Sequence, residues 1–437
     1  MTDITVMPVA APKTAKIAKP KKLTLSGFPH QPRPGSESLK VTMENVKHLL
    51  DKYRIAARYN EISKRAEVQL PDFDLNTANA DNVALTRVIS LANLNGMSSA
   101  QVPQMVDALA EENPYNPAKE WILSKPWDGK CRKQEFYNTI KTPESYSKYL
   151  KPVLMHRWIL SVTAAAVIPN GFYTRGVLTF QGAQNKGKTN WVRSLVNDPV
   201  LRTKLIKIDH QLDANNKDSI LGATAYWIVE LGELDSSFKK DIARIKGFLS
   251  SDRDRVRRPY GRFESDFQRR TVFCATVNEP TFLVDTTGNT RWWTIEVDEV
   301  NFNHGIDMQQ LFAQMAVELD GGAQWWLTED EDALLEDCNL KYRAVSKIRD
   351  KINQYVDIAR TPSSGDRSFT STSLLEELGI KNPTNAECRE CGSILREHFG
   401  SQHIPAGAKS WRVPLKTGPQ ECGFQAEMKD MEYDDPF

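Results

Sequence analysis

Short apolar runs alternate with helix-like stretches between residues 168 and 300, and this alternation predicts an α/β fold. The apolar runs predicted as strands are residues 176–181, 204–208, 225–229, 271–277 and 291–297. Several are followed by stretches in which apolar positions recur three and four residues apart, which indicates helices. The predicted centre of the molecule is therefore an α/β core.

The segments on either side of this core differ from it in pattern. Before it, apolar positions such as Val46, Leu49 and Leu50 predict a helical region; after it, two helices and a pair of short strands suggest a winged helix. The predicted organisation is a disordered basic arm (1–39), a small N-terminal domain (40–110), a helical collar (111–167), the α/β core (168–300), a helical lid (301–360), a winged-helix-like domain (368–415) and an acidic tail (416–437).

A glycine-rich loop lies between the first predicted core strand and the helix after it. Such a loop lets backbone N–H groups surround a phosphate, while a lysine reaches the β and γ oxygens and a threonine binds Mg²⁺. The sequence therefore predicts binding and hydrolysis of ATP with Mg²⁺. The predicted nucleotide contacts are Gly182, Asn185, Lys186, Gly187, Lys188 and Thr189, with Thr189 also a metal ligand.

Acidic and amide side chains follow two later strands of the core. Glu230 and Glu233 end an apolar strand, as a Walker B element requires, and Asn278 follows the strand 271–277. One carboxylate would support Mg²⁺ and the other would polarise the attacking water, and either residue suits either role. Asn278 is predicted to orient that water and to sense the γ-phosphate.

Two arginine-containing segments suggest contacts beyond the nucleotide. Arg291, on a turn before an aromatic strand, would contact the γ-phosphate held by a neighbouring subunit, or else form a surface ion pair or stack on the tryptophans beside it. A predicted hairpin over residues 252–262 suits single-stranded DNA, because guanidinium groups bind phosphates and an aromatic ring stacks on bases. A solvated basic loop is the alternative. The predicted DNA contacts are Arg257, Arg258, Tyr260 and Arg262.

These motifs, in this order, resemble the virulence-associated E family of phage and plasmid proteins, which is related to the superfamily 3 helicases. The matching segments are Trp127-Asp128-Gly129, the glycine-rich loop, Ile228–Leu234, Arg258–Arg262, Thr276–Asn278, Thr287–Trp293 and Gln324–Thr328. The resemblance implies a P-loop AAA+ core, an ATP-driven role in DNA replication and assembly as a hexamer. It also implies that Glu230, Glu233, Asn278 and Arg291 are catalytic and that Glu230 contributes to the metal site.

Charge and cysteine patterns add candidate partners. Residues 237–270 carry eleven Lys or Arg against five Asp or Glu, whereas residues 421–437 carry one against six. The last four residues, Asp434–Phe437, resemble the acidic, Pro-Phe-ending tip of bacterial single-stranded-DNA-binding proteins and predict contacts with host replication proteins; a solvated acidic tail is the alternative. Cys388 and Cys391 form a CxxC that would need His398 and His403 to complete a zinc site, so reduced thiols are favoured.

The favoured function is an ATP-dependent DNA helicase that forms a ring on single-stranded or forked DNA in the bacterial cytoplasm. The apolar runs are too short to cross a bilayer, so no membrane partner is predicted. Two alternatives remain at this stage: an ATP-dependent initiator or loader without processive unwinding, and an origin-binding protein whose nucleotide site only controls assembly. The segment 368–415 could bind duplex DNA, through Arg389, Arg396, Lys409 and Arg412, or pack against a neighbouring subunit.

Overall fold

The structure divides the chain into two units. In the computed structural model, residues 20–71, 79–232, 244–256, 264–283, 289–343, 347–401 and 410–416 are described. The first unit comprises Met1–Glu279 and Thr290–Leu335, and the second comprises Pro280–Asn289 and Glu336–Phe437.

The described residues at the start of the first unit form helices packed on a small sheet. The helices are α1 (Met43–Lys52), α2 (Ala80–Leu94) and α3 (Val102–Glu111), and the strands are β1 (Ala56–Asn60), β2 (Arg65–Gln69) and β3 (Pro114–Tyr115). Strand β1 pairs antiparallel with β2 and parallel with β3. The apolar face of α1 supplies Val46 and Leu49 to a core that also contains Val88 and Val106.

The predicted disordered arm is wrong for residues 20–39. Phe28 and Leu39 are 2% and 3% exposed and belong to the core of the N-terminal helices. The Leu23 amide donates to Asn95 Oδ1 at 2.8 Å, and the Asn45 side-chain amide donates to the His30 carbonyl at 2.8 Å. A few apolar anchors and buried asparagines that satisfy the backbone hold this basic segment in place, and composition alone does not show them.

Helices and a short strand connect this region to the central sheet. They are α4 (Pro117–Ile122), α5 (Lys133–Tyr137), β4 (Ile140–Lys141) and α6 (Leu150–Val167). Helix α6 lacks a polar face along most of its length, as expected for a helix buried on all sides. The Trp158 indole N–H of α6 donates to the carbonyl of Phe273 in the sheet at 2.9 Å, which fixes the helix against it.

A five-stranded parallel sheet forms the centre of the first unit, and it confirms the predicted α/β class. Its strands are β5 (Val177–Gln181), β6 (Ile206–His210), β7 (Ile228–Leu231), then, after a hairpin of β8 (Arg253–Val256) and β9 (Ser265–Gln268), β10 (Val272–Val277) and β11 (Trp292–Glu296). Their order across the sheet is β11-β5-β10-β7-β6. Because β10 lies between β5 and β7, whatever follows β10 lies between the loops that follow the other two strands.

The remaining elements of the first unit flank this sheet. They are α7 (Lys188–Ser194), α8 (Pro199–Leu205), α9 (Lys217–Thr224), β12 (Glu299–Val300), α10 (Met308–Asp320) and the start of α11 (Glu329–Asn339). The sequence predicts a strand that starts at residue 204. In the structure, residues 204 and 205 instead form the end of helix α8. Asp198 caps α8 by accepting from the Leu201 amide at 2.8 Å, and Pro199 occupies its first turn. An Asp-Pro pair is a helix-start signal that could have located this helix from the sequence.

The second unit has its own apolar core around two helices. Its further elements are α12 (Lys347–Tyr355), β13 (Ser368–Phe369), α13 (Ser371–Glu377), α14 (Asn385–Phe399) and β14 (Trp411–Arg412). Ile352, Leu375, Ile394 and Trp411 are buried together in its core.

Two predictions for this part of the chain are corrected. Residues 301–360 do not form one lid, because the boundary between the units falls within α11, after Leu335. Within the predicted helical lid, α11 also ends at Asn339, and a turn of 3-10 helix, Leu340–Tyr342, follows it. The Tyr342 carbonyl then accepts hydrogen bonds from the amides of Phe282 and Leu283, and the chain is extended at Arg343.

The predicted hairpin near the C-terminus differs as well. Strand β14 pairs antiparallel with β13, which precedes the two helices. The other short strand of the predicted pair, expected near Ile404, lies outside the described residues.

The zinc alternative gains no support from the described residues. Cys391 is buried, and burial raises the pKa of its thiol to about 12. Within the described ranges, no three His, Cys, Asp or Glu side chains are grouped to hold a metal ion. His403 lies outside these ranges.

Candidate functional site

The carboxyl ends of three neighbouring strands meet at one edge of the sheet. In the parallel register, Val277 of β10 is opposite Gln181 of β5, and Ala275 of β10 is opposite Leu231 of β7. The predicted loop, acid and amide therefore follow adjacent strands, and the sheet brings Lys188, Thr189, Glu230 and Asn278 together.

The glycine-rich loop turns through left-handed backbone conformations between β5 and α7. Asn185 has φ 62° and Gly187 has φ 84°, a region that favours glycine and tolerates asparagine. A Cβ at Gly187 would lie 2.6 Å from the ring of Phe302, so a side chain there would collide with that ring. The loop conformation therefore requires glycine at this position for both backbone and packing reasons.

Lys188 places its ammonium group inside the turn of the loop. Its Nζ donates to the carbonyl of Gly182, to the carbonyl of Ala183 at 2.9 Å and to Asn278 Oδ1 at 3.0 Å. Burial lowers the pKa of this ammonium to about 8, although the nearby Glu230 carboxyl acts in the opposite direction. Lys188 is thus a buried cation whose direct contacts are neutral oxygens.

Glu230 is the buried acceptor at the centre of the site. It is 1% exposed, and its Oε1 accepts from Thr189 Oγ1 at 2.9 Å and from Thr276 Oγ1 at 2.7 Å. Its Oε2 accepts from the Asp209 amide at 2.9 Å. Three donors compensate the burial of this carboxyl group and fix both of its oxygens.

Sequence reasoning missed Thr276 and Asp209. Side chains alternate along a strand, so Thr276 points to the same face as Asn278, two residues further on, and this period could have identified it. Asp209 has φ 52°, and a Cβ at Gly232 would lie 2.2 Å from its Oδ1. Gly232, the residue after β7, therefore lets Asp209 of β6 approach closely. No local sequence pattern indicates this approach.

Arg291 lies at the opposite edge of the sheet from the glycine-rich loop. It precedes β11, whose first residue, Trp292, is opposite Val177 at the start of β5. Five residues of strand, roughly 13 Å, separate the two edges. Arg291 Nε donates to Ser250 Oγ at 2.9 Å, and the side chain lines a cavity of about 570 Å³ together with Arg175.

The base of the predicted DNA hairpin is anchored by buried charges. Strands β8 and β9 pair antiparallel from Arg253 opposite Gln268. Asp254 Oδ1 is 2.7 Å from Arg269 Nε, and its Oδ2 is 3.3 Å from Lys64 Nζ. Lys64, in the turn between β1 and β2, has φ 56° and also donates to the Thr224 carbonyl. The N-terminal turn is thus tied to the hairpin base.

Several predicted site residues lie outside the described residues. They are Glu233, the hairpin residues Arg257, Arg258, Tyr260 and Arg262, and the C-terminal Asp434–Phe437.

Comparison with known proteins identifies the family. Residues 122–344, about half of the chain, match the virulence-associated protein E-like domain. The chain belongs to this family. No curated protein matches the sequence.

Solved structures show a weak overall similarity to the chain. The apo structure of the NrS-1 C-terminal region (305–718) has a TM-score of 0.39 and 13% identity and covers 85% of this chain and 98% of that one. An A form of the same region has a TM-score of 0.37 and 12% identity, with the same coverage of both chains. Membership of the virulence-associated protein E-like family rests on the domain match alone.

The Trp127-Asp128-Gly129 segment of this family member has a structural role. The Asp128 carboxylate receives two hydrogen bonds from Arg132, at 2.8 and 2.7 Å, and the Asp128 amide donates to Gln310 Oε1 at 2.7 Å. Gln310 belongs to α10, where it is buried and also donates to the Pro126 carbonyl. The segment is held against α10 by paired polar groups.

No helix among the described residues combines the length and apolar character needed to cross a bilayer.

Proposed function

We propose that the chain is an ATP-dependent DNA helicase of the superfamily 3 type, with a P-loop AAA+ core, that acts as a ring in the replication of a phage or other mobile element. The observation that carries this proposal is the convergence of Lys188, Thr189, Glu230 and Asn278 at one sheet edge. A single motif is weak evidence. Hydrogen bonds that link the lysine and threonine of the loop to the amide and the acid of the neighbouring strands form the arrangement that nucleoside triphosphate hydrolysis requires. Membership of the virulence-associated E family supports the replication role.

The environment of Lys188 suits a phosphate ligand. The carbonyl and amide oxygens around this buried ammonium do not neutralise its charge, and its lowered pKa reflects the cost of burying that charge. An anionic ligand would relieve this cost, so binding of a β,γ-phosphate is favoured at the loop. The amides of residues 182–187 would supply the remaining donors.

Thr189 and Glu230 fit a magnesium site. Their oxygens are 2.9 Å apart, and a hydroxyl next to a carboxylate is the hard-oxygen donor set that Mg²⁺ takes from protein beside phosphate oxygens. When bound, Mg²⁺ would neutralise charge on the β- and γ-phosphates. Thr276 and the Asp209 amide would hold the carboxylate in place for this contact.

The acid that activates water is assigned to Glu233. The oxygens of Glu230 already accept three hydrogen bonds, which leaves this carboxyl group little capacity to take part in proton transfer. Glu233, three residues further on, is the second acid of the motif. Asn278 would orient the water, since its side chain lies beside Lys188.

Coupling to DNA is assigned to the hairpin. Its described strands, β8 and β9, carry the tip residues 257–263 between them, and Arg257, Arg258, Tyr260 and Arg262 would contact the phosphates and bases of a single strand. Arg291 would act on the nucleotide of a neighbouring subunit in a hexamer. Host replication proteins would bind the tail Asp434–Phe437.

Hydrolysis by purified wild-type chain and three variants tests the site. We expect Lys188→Ala to bind nucleotide only weakly and not to hydrolyse it. Glu230→Gln should bind nucleotide but hydrolyse it at least about 100-fold more slowly, because the metal-side carboxylate is lost. Arg193→Ala is the matched control and should hydrolyse at the wild-type rate, because this exposed arginine of α7 bonds no group but Asn190 in the described part of the chain. Equal rates in all four proteins would refute the assignment.

The same proteins separate the two alternatives. Hydrolysis without strand displacement would indicate a loader or initiator. DNA binding unaffected by Lys188→Ala, with negligible hydrolysis in the wild type, would indicate an origin-binding protein.

A further inference from the structure

One face of helix α14 presents a stripe of polar and basic residues over a groove. Asn385, Arg389, Gly392 and Arg396 follow one another at spacings of four, three and four residues, which places them on the same face. They line a groove of about 410 Å³ together with Ser371 of α13 and Trp411 of β14. The stripe runs along roughly 16 Å of helix.

The glycine in the middle of the stripe lies directly against the floor of the groove. A Cβ at Gly392 would lie 3.0 Å from Ser371 Oγ and 3.4 Å from the Trp411 ring. Gly392 is buried, in close contact with the floor, between the two exposed arginines. The Arg396 guanidinium donates to the Gly392 carbonyl at 3.0 Å, which holds it along the groove.

The charge of this stripe is not balanced locally. Elsewhere in the second unit, Arg349, Arg360 and Arg367 each pair with a carboxylate at 2.7 Å or less. Among the described residues, neither Arg389 nor Arg396 has such a partner, and both are exposed. The two positive charges therefore face solvent on one side of the helix.

The acidic residues of the same helix do not neutralise the two arginines of the stripe. Glu387 accepts from the Thr384 amide at 2.7 Å in the capping box, and Glu397 pairs with Arg349. Glu390 is adjacent in sequence to Arg389, so it lies on a different face of the helix. The groove face thus remains basic and amide-bearing.

We propose that this face of α14 binds duplex DNA, as a second DNA site separate from the nucleotide site. An α-helix fits the major groove, where arginine recognises guanine and asparagine recognises adenine. Helix α13 precedes α14 by a short connection, and in helix-turn-helix proteins the second helix of such a pair enters the groove. Positive charge complements phosphate, so duplex DNA is favoured over a neighbouring protein surface as the occupant.

The test compares two double variants of the full chain with the wild type. Arg389→Ala with Arg396→Ala removes the stripe, and Arg360→Ala with Arg367→Ala removes the same charge from ion pairs elsewhere in the unit. Affinities for a 30-base-pair duplex and for a single strand are measured by fluorescence anisotropy without nucleotide, at several salt concentrations. Circular dichroism and sedimentation verify the fold and the oligomeric state.

The stripe variant should bind duplex at least about tenfold more weakly, with the slope of log affinity against log salt reduced by about 2, as two lost phosphate contacts require. Its affinity for single strands and its nucleotide hydrolysis should equal those of the wild type. Arg389→Lys with Arg396→Lys should restore the slope.

Two outcomes would overturn the proposal. One is equal loss of duplex binding in the stripe and control variants, or none in either. The other is a change in sedimentation alone, which would show that the groove contacts another copy of the chain. Absence of hydrolysis in every protein would contradict the helicase proposal and leave the duplex result intact.

Discussion

Lys188 illustrates how the fold changes the chemistry of one side chain. An exposed lysine keeps its proton well above neutral pH, but in this loop burial brings the pKa to about 8. The folded chain holds this proton less well than the unfolded chain, so the contribution of Lys188 to stability rises with pH between about 8 and the ordinary lysine pKa of 10.5. The same shift makes the charge of the loop titratable near the pH of ordinary assays.

Nucleotide affinity should therefore depend on pH. Above about 8 the free chain loses the ammonium that attracts the phosphates, so the affinity should fall with rising pH, approaching tenfold per unit. Titration with a fluorescent nucleotide between pH 7 and 9.5 measures this. Lys188→Ala should bind weakly and without pH dependence in this range. A flat profile in the wild type would contradict the assignment.

Thr276 provides a second prediction for a single residue. Thr276→Val keeps the shape of the side chain but removes one of the hydroxyls that fix Glu230 Oε1, so hydrolysis should fall about tenfold, the equivalent of one lost hydrogen bond to a charged group. The Mg²⁺ concentration needed for half-maximal hydrolysis should rise. Thr294→Val is the control, because the hydroxyl of this buried threonine of β11 donates to the Trp292 carbonyl and to no other group among the described residues. Equal effects of the two substitutions would indicate a general effect on the sheet.

At the scale of elements, the sequence predicted the strands of the core better than their surroundings. Strands such as Val177–Gln181 are short apolar runs next to a recognisable loop, and their identity follows from the local pattern. Helix α8 depends on a cap, and the turn after α11 pairs through its backbone with a distant segment. The approach of Asp209 to Glu230 likewise depends on register across the sheet, which local sequence does not encode.

The buried anchor of the hairpin gives a prediction at this scale. Asp254→Asn leaves the cations of Lys64 and Arg269 facing each other without compensation, so it should destabilise the first unit by about 3–5 kcal/mol. Lys64→Met should cost less, since the pair of Asp254 and Arg269 remains. Urea unfolding followed by tryptophan fluorescence measures both.

Arg253→Ala is the control for this series. Arg253 pairs with Asp266 at 2.7 Å on the exposed side of the same hairpin, and such pairs contribute about 1 kcal/mol or less. If Asp254→Asn and Arg253→Ala unfold at the same midpoint concentration of urea, the buried network does not anchor the hairpin.

At the scale of the whole molecule, the position of Arg291 bears on assembly. The register of β11 against β5 places this arginine at the opposite sheet edge from the loop of its own chain. A role for Arg291 in hydrolysis therefore requires a second chain, as in the proposed ring. The family motif around it predicted the role but not this geometry.

Mixing two inactive variants tests that requirement. Lys188→Ala retains the arginine and Arg291→Ala retains the loop, so a mixture should recover about a quarter of the wild-type hydrolysis rate, the fraction of interfaces in random rings that join an intact loop to an intact arginine. Each variant alone should be inactive. A mixture no more active than its separate components would exclude action between subunits.

The central claim is that nucleotide hydrolysis at the Lys188 site drives the hairpin along DNA. Strand displacement on a forked duplex, measured together with hydrolysis, tests it most directly when the wild type is compared with Lys188→Ala and Tyr260→Ala. The account predicts unwinding by the wild type only, with hydrolysis lost in Lys188→Ala and retained in Tyr260→Ala. Unwinding that persists in Lys188→Ala, or a wild type that hydrolyses nucleotide but never separates the strands, would contradict it.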